Sequence, residues 1–158
     1  LPPNLKVLYC FGNNLTHLDN LPQNLTILYC YENKLTQLDH LPRSLQELMC
    51  AKNEITQLDK LPIGLIKLYC WENKITLLDN LPPNLDFLNC NDNQITHLDN
   101  IPKSIEEVFL TKIMNGIFTF NELILFTQQT SNIGLGRIVN SLGVNNLKID
   151  PSDYESDK

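Results

Sequence analysis

The sequence has no apolar run of about 18 residues or more, the length that a membrane-spanning helix requires. It also has no segment with the features of a signal peptide. The chain begins at Leu1 in the middle of a repeating pattern, and we therefore expect it to be a fragment or a processed product.

Basic residues are outnumbered in this chain. Twelve Lys and Arg residues stand against 18 Asp and Glu residues, which gives a formal net charge of −6. Nucleic acids and anionic lipids both select basic surfaces. The charge balance therefore argues against nucleic-acid and membrane partners, and no motif indicates a small-molecule substrate.

Closely paired cysteines are also missing. The five cysteines are odd in number and include no CxxC pair, which argues against a disulfide framework and for a reducing compartment. We expect a cytoplasmic location, or the host cytosol after secretion or infection. Glycine is scarce as well. Gly134 and Gly136 lack the third glycine of a dinucleotide-binding loop, and no cofactor is expected.

The sequence does contain an internal period of 20 residues. Five blocks align without a gap: LPPNLKVLYCFGNNLTHLDN, LPQNLTILYCYENKLTQLDH, LPRSLQELMCAKNEITQLDK, LPIGLIKLYCWENKITLLDN and LPPNLDFLNCNDNQITHLDN. A half-block, IPKSIEEVFL, follows them. Such a period predicts a solenoid in which each block forms one coil. Residues 20 positions apart then occupy equivalent places in successive coils.

Each block contains a short segment that alternates like a strand. In the first block, Leu8 and Cys10 point to one side while Tyr9 and Phe11 point to the other. Strands of successive blocks then stack in parallel about 4.8 Å apart. Because 20 residues leave no room for a return helix, the Leu-Pro pairs predict extended, polyproline-like return legs.

The other residues that recur at the same position in every block are expected to have structural roles. The cysteines share the inward position that Leu110 fills in the half-block, which favours core packing over metal or redox chemistry. Asn13 and its equivalents are expected to bond the backbone of the adjacent coil. Asp19 and its equivalents predict Asx-turns. The alternative is that the stacked aspartates form a row that binds a divalent cation. We disfavour it because Ca²⁺ requires several oxygens around one point.

The segment LxxLxCxxNxL resembles the leucine-rich repeat signature, with Cys where Leu is usual. The whole block resembles the short bacterial-type repeats of YopM-like effectors and of the recognition domains of bacterial effector ubiquitin ligases, and it is also similar to giant-virus leucine-rich repeat proteins. The resemblance implies a right-handed solenoid that binds protein, with a parallel sheet on its concave face and extended convex legs. Asp19 departs from this pattern, because those proteins often have Pro there.

The domain organisation follows from the period. We expect a leucine-rich repeat array over residues 1–110, with full repeats at 1–20, 21–40, 41–60, 61–80 and 81–100 and a half repeat at 101–110. A small, mainly helical C-terminal cap is expected over residues 111–148, because an open solenoid end exposes its core. Residues 149–158 form an acidic segment that is expected to be disordered.

The outward strand positions carry the functional signal. Every aromatic residue in the first 100 positions lies there and none lies on a return leg. Aromatic residues stabilise sheets by cross-strand contacts, but an outward stripe of them also indicates an interaction surface. The predicted partner-binding residues are Tyr9, Phe11, Tyr29, Tyr31, Met49, Ala51, Tyr69, Trp71 and Phe87.

The third block interrupts this aromatic stripe. Ala51 falls between Tyr31 and Trp71, and the adaptable Met49 lies in the adjacent column. The sequence therefore predicts a notch that receives an apolar side chain of a partner. The following blocks become polar and acidic, which favours a partner with a basic flank.

Three classes of function remain open. The first is a non-catalytic, effector-like module that binds a partner protein, such as a host protein. The second is the substrate-recognition part of a larger enzyme such as a ubiquitin ligase, and the third is a structural scaffold or spacer. Catalysis by this chain is not expected, because its three histidines have no credible triad partners.

Overall fold

The computed structural model describes residues 1–95, 102, 104, 105 and 107–109. These residues include six three-residue strands in one sheet, and each strand pairs in parallel with the next along the chain. The strands are β1 (Val7–Tyr9), β2 (Ile27–Tyr29), β3 (Glu47–Met49), β4 (Lys67–Tyr69), β5 (Phe87–Asn89) and β6 (Glu107–Phe109).

The strands pair with an offset of one repeat. Leu8 lies opposite Leu28, Leu28 opposite Leu48, and Leu88 opposite Val108. Hydrogen bonds continue past the strand ends, since the Cys30 amide donates to the Met49 carbonyl at 2.8 Å. The predicted in-register stacking is confirmed, and each column of the sequence becomes a column of side chains in space.

The core lies on one side of this sheet. The second coil buries Leu25, Leu28, Cys30 and Leu35 completely, and the third and fourth coils repeat this pattern. In the first coil the equivalent leucines and Cys10 are only partly buried, because a neighbouring coil covers them on one side. Burial in each coil therefore depends on contact with the coils before and after it.

An asparagine ladder runs along the end of the strands. The Asn53 amide donates to the carbonyls of Cys30, Cys50 and Ala51, each at 3.1 Å, and its Oδ1 accepts from the Leu35 amide at 2.9 Å. Asn33, Asn73 and Asn93 repeat this arrangement in their own coils. The predicted bonding of each asparagine to the adjacent coil is confirmed.

The residue before each ladder asparagine has a left-handed backbone. Gly12 has a φ of 66° and the equivalent residues of the other coils have φ values from 51° to 55°. The amide of Lys52 at this position donates to the Trp71 carbonyl at 2.9 Å. The sharp turn after each strand is thus compatible with inter-coil hydrogen bonds. Four of these five positions nevertheless hold a residue other than glycine.

The return legs contain no helix among the described residues, in agreement with the extended legs that were predicted. The proline of each Leu-Pro pair also opens a hydrogen-bonded turn before the next strand, as in the bond from the Leu45 amide to the Pro42 carbonyl at 3.1 Å. The first two return-leg aspartates pair with other side chains instead of forming the predicted Asx-turns. Asp19 lies 3.5 Å from the His17 ring, and Asp39 pairs with Lys60 at 2.8 Å.

The predicted cap at residues 111–148 and the tail at 149–158 lie outside the described residues. Within the described part of the chain, no helix has the length and apolar character needed to cross a bilayer.

Candidate functional site

The face of the sheet that points away from the core, here called the outward face, carries the predicted partner-binding residues. Strand alternation places Leu8 inside and leaves Tyr9 exposed. Tyr9 is 59% exposed and Phe11 is 43% exposed, because they lie at the first coil. The half-buried members of the set are Tyr29, Tyr31, Met49, Tyr69, Trp71 and Phe87.

Four rings of the first two coils contact one another and form what we call the N-terminal aromatic cluster. Phe11 and Tyr31 stack with 4.5 Å between ring centroids and an interplanar angle of 8°. Tyr9 lies 4.9 Å from Tyr29 and 6.4 Å from Phe11. Offset contacts of this kind stabilise a pair by about 0.5–1.5 kcal/mol beyond area burial. Part of the aromatic signal in the sequence is therefore explained by contacts within the sheet.

The fourth and fifth coils hold a second group of rings, the C-terminal aromatic cluster. Tyr69 lies 4.7 Å from Phe87 and 6.2 Å from Trp71, and the Trp71 contact is edge-on at 81°. The structure brings the predicted aromatic residues together as two clusters rather than one continuous stripe. The third coil separates the clusters, because it contributes no ring to this face.

The third coil does not have the open notch at Ala51 that was predicted. Ala51 is 0% exposed, so a partner has no access to its surface. Its carbonyl accepts from the Glu32 amide at 3.1 Å, and the next amide, that of Lys52, bonds the Trp71 carbonyl. A methyl side chain held between coils that carry Tyr31 and Trp71 is too short to reach the surface.

The carboxylate of Glu47, in the third coil, accepts a hydrogen bond from a side chain of the second coil. The Tyr29 hydroxyl donates a hydrogen bond to Glu47 Oε1. This hydrogen bond, together with partial burial, raises the pKa of the Tyr29 phenol well above its ordinary value. The contact ties β2 to β3 on the outward face and orients a charged oxygen between the two aromatic clusters.

A shallow depression opens beside Glu47, at the edge of the sheet where the strands begin. Its volume is about 180 Å³, and its lining combines aliphatic, polar and charged side chains, namely Ile27, Gln46, Glu47, Ile66 and Lys67. These residues were not predicted as a site. The signal that points to them is the variable column before each strand leucine, where an acid and a base stand in consecutive repeats.

Comparisons with known proteins agree with this architecture. No protein-family model and no curated protein sequence matches the chain. Among solved structures, YopM from Yersinia enterocolitica WA-314 is 37% identical with a TM-score of 0.68, over 71% of this chain and 25% of that one. A Shigella effector leucine-rich repeat domain is 32% identical with a TM-score of 0.68, over 75% of this chain and 55% of that one.

The chain is a leucine-rich repeat protein with short, bacterial-type repeats. A further solved structure, the leucine-rich effector YopM from Yersinia pestis, is 27% identical with a TM-score of 0.61 over 70% of this chain. This leucine-rich repeat chain spans between a quarter and about half of the length of these relatives.

The thiols of the leucine-rich repeat array lie in its core. Cys30, Cys50, Cys70 and Cys90 are buried and Cys10 is partly exposed, and none of the five forms a disulfide bond. Burial raises the pKa of each buried thiol, which keeps it protonated and lowers its reactivity as a nucleophile. The cysteines therefore pack as small apolar side chains, as the sequence predicted.

The described aspartates of the return legs do not form a metal-binding cluster. The Asp39 carboxylate is paired with the Lys60 ammonium, which lowers the pKa of Asp39. Within the described residues, no group of three or more His, Cys, Asp or Glu side chains is arranged to hold a metal ion. All the aromatic residues of the first 95 positions lie on the outward face, where Tyr9 and Phe11 are the most exposed of them.

Proposed function

We propose that this leucine-rich repeat array is a non-catalytic module that binds a partner protein through its outward face. The observation that carries the proposal is the position of the two aromatic clusters, which lie on one face with ring surface left exposed after their mutual stacking. Tyr and Trp are the side chains that most often dominate protein-binding interfaces. The similarity to effector proteins supports an effector-like role with a host protein as partner.

The polarity of the outward face suggests what such a partner presents. The aromatic clusters offer apolar anchors, whereas the fifth coil adds Asp86, Asn89, Asn91 and Asp92. An apolar side chain flanked by basic residues would match both parts of this surface. Five cysteines without a disulfide bond suit a reducing setting such as the cytosol, which we propose as the working compartment.

Quantitative affinity purification from host-cell lysate tests the proposal. Tyr31→Ala and Trp71→Ala each remove one ring from a different cluster, and we expect both to lower recovery of a specific partner about tenfold or more. Truncation of an anchor residue at a protein interface typically costs at least that much affinity.

Matched controls come from the return legs. Ile63 and Leu77 are 73% and 45% exposed, so Ile63→Ala and Leu77→Ala also remove exposed apolar surface. If these controls lower recovery as much as the ring substitutions do, or if no variant changes recovery, the outward face is not the binding surface. The spacer function would then be favoured.

The recognition part of a larger enzyme is a second proposal, favoured by the short span of the matches. Both proposals use the same face of the array. They differ in whether a catalytic domain accompanies it, which the full-length open reading frame would reveal.

A further inference from the structure

Two opposite charges lie side by side on the outward face without forming an ion pair. Glu47 and Lys67 are register partners on β3 and β4, and both line the depression beside Ile27 and Ile66. Opposite charges in such cross-strand positions commonly pair. Among the described residues, however, Lys67 is within ion-pair distance of no carboxylate, and the ion pairs that do form involve other lysines.

The Tyr29 hydroxyl accounts for this separation. It donates to Glu47 Oε1 from the opposite side, that of β2, and so holds the carboxylate on the strand next to Lys67 without a Lys67 contact. No other side-chain hydrogen bond to Glu47 is formed within the described part of the chain, so Oε2 remains an open acceptor. Lys67 remains an open donor, and its side chain is exposed.

An open acceptor and an open donor on adjacent strands are about 4.8 Å apart at the backbone. A carboxamide carries an N–H donor and a C=O acceptor on one planar group, and it is neutral. A carboxylate is attracted by Lys67 but repelled by Glu47, and an ammonium is attracted by Glu47 but repelled by Lys67. A neutral amide can donate to Glu47 and accept from Lys67 without either repulsion. The aliphatic carbons that carry a side-chain amide match the apolar walls of the depression.

We propose that the depression binds the side-chain amide of an Asn or Gln residue of the partner protein, with its N–H donating to Glu47 Oε2 and its C=O accepting from Lys67 Nζ. The aliphatic part of that side chain packs against Ile27 and Ile66. This proposal rests on the proposed protein-binding function and names the chemistry that the outward face selects between its two aromatic clusters.

A matched set of three small probes tests the site without a known partner. The probes are 4-methylpentanamide, 4-methylpentanoate and 4-methylpentylamine, which share an aliphatic body and differ in the head group. Methyl NMR signals of Ile27 and Ile66 report binding. We expect the amide to bind about three- to tenfold more tightly than the acid or the amine, because hydrogen bonds to charged groups contribute only modestly at an exposed site.

Single substitutions then test the two contact points. Lys67→Met and Glu47→Met each remove one contact, and each should weaken amide binding about threefold or more. Lys34→Met is the control, because it removes the same charge as Lys67→Met from an exposed loop residue outside the depression. Glu47→Met also removes the acceptor of the Tyr29 hydroxyl, whereas Lys67→Met leaves that contact in place and tests the amide site alone.

Several results would overturn the proposal. They are tighter binding of the acid or of the amine, a loss of amide binding in only one of the two contact variants, and no shift of the Ile27 and Ile66 signals. The probe experiment is also independent of the ring substitutions. The amide site can therefore fail while Trp71→Ala still abolishes partner binding, and the reverse outcome would reject the proposed function instead.

Discussion

At the scale of single residues, the ladder asparagines show how one side chain joins two coils. Each buried asparagine bonds carbonyl groups of its own coil and of the preceding one, and it also accepts from a backbone amide of the preceding coil. No apolar residue of similar volume offers a donor and an acceptor together. The turn geometry that recurs after each strand therefore depends on this residue type.

Replacing Asn53 by leucine should destabilise the array strongly. The substitution leaves the Leu35 amide and three carbonyl groups without the Asn53 partner in a buried setting, and we expect a loss of about 3–5 kcal/mol in the free energy of unfolding. Urea denaturation followed by circular dichroism measures this change.

Asn13→Leu is the matched control for this experiment. The Asn13 side chain is exposed and, among the described residues, bonds only the carbonyls of Cys10 and Phe11 in its own coil, so water can replace it. We expect a loss of about 1 kcal/mol or less. Equal losses for Asn13→Leu and Asn53→Leu would show that the inter-coil bonds do not stabilise the fold.

The backbone conformation of the turn residues could not be predicted from the sequence. The turn residue before each ladder asparagine adopts a left-handed backbone, yet only Gly12 signals this by its type. Glu32, Lys52, Glu72 and Asp92 carry the local strain of that conformation because inter-coil hydrogen bonds and the ladder asparagine outweigh it. When tertiary contacts offset backbone strain, the residue type at that position does not reveal the strained conformation.

At the scale of elements, the strands are only three residues long and depend on contacts across the sheet. The hydrogen bond from the Tyr29 hydroxyl to Glu47 is one such contact, and it connects β2 to β3. Its strength depends on pH, because the phenol donates only while it is protonated.

The Tyr29 contact should therefore stabilise the array at neutral pH and be lost in base. Glu47 raises the pKa of the Tyr29 phenol, so the stabilisation is complete below the ordinary phenol pKa of about 10 and declines as the pH rises above it. We expect the difference in Tm between the native chain and Tyr29→Phe to be constant from about pH 7 to 9 and to shrink from about pH 10 upward.

Tyr31→Phe provides the control for the pH series. Tyr31 stacks on Phe11 but makes no hydroxyl hydrogen bond to the described residues. Its difference in Tm from the native chain should not change with pH in the way that the Tyr29 difference does. A Tyr29→Phe difference that stays constant above pH 10 would contradict the assigned hydrogen bond.

Strand positions and core columns were predictable from sequence at this scale, because alternation and period are local patterns. The interruption of the aromatic stripe at the third block was also predictable, because that block has no aromatic residue. The ring contacts within each cluster, the complete burial of Ala51 and the depression around Glu47 and Lys67 were not predictable in this way. Those features arise from side-chain conformations across neighbouring coils, which a one-dimensional pattern does not contain.

At the scale of the whole molecule, each coil contacts mainly the coils beside it, and every described strand pairs only with its sequence neighbours. The stability of such an array is approximately a sum over coils and the interfaces between them. One complete repeat is therefore a removable unit, whereas a part of a repeat is not.

Deleting residues 41–60 should give a folded, shorter array. The deletion joins the second coil to the fourth in unchanged register, because both occupy equivalent positions in the 20-residue period. We expect retained sheet signal in circular dichroism, a lower Tm because one coil and one interface are lost, and loss of the amide-binding depression because Glu47 is removed.

Deletion of residues 41–50 is the control for this experiment. It removes half a period and places inward leucines opposite return-leg residues, so we expect it to prevent folding beyond the break. If the two deletions behaved alike, the fold would not depend on the 20-residue register.

The amino-acid sequence was enough to predict the period, the parallel stacking of the strands, the inward leucine and cysteine columns and the face that carries the aromatic residues. These follow from a repeat in which each block meets the same physical environment as the next. The three-dimensional structure was needed to show which outward side chains stay accessible, which rings contact each other, and that Glu47 bonds Tyr29 rather than Lys67. Those outcomes depend on competition between neighbours on adjacent coils, where the blocks differ and the repeat no longer constrains the result.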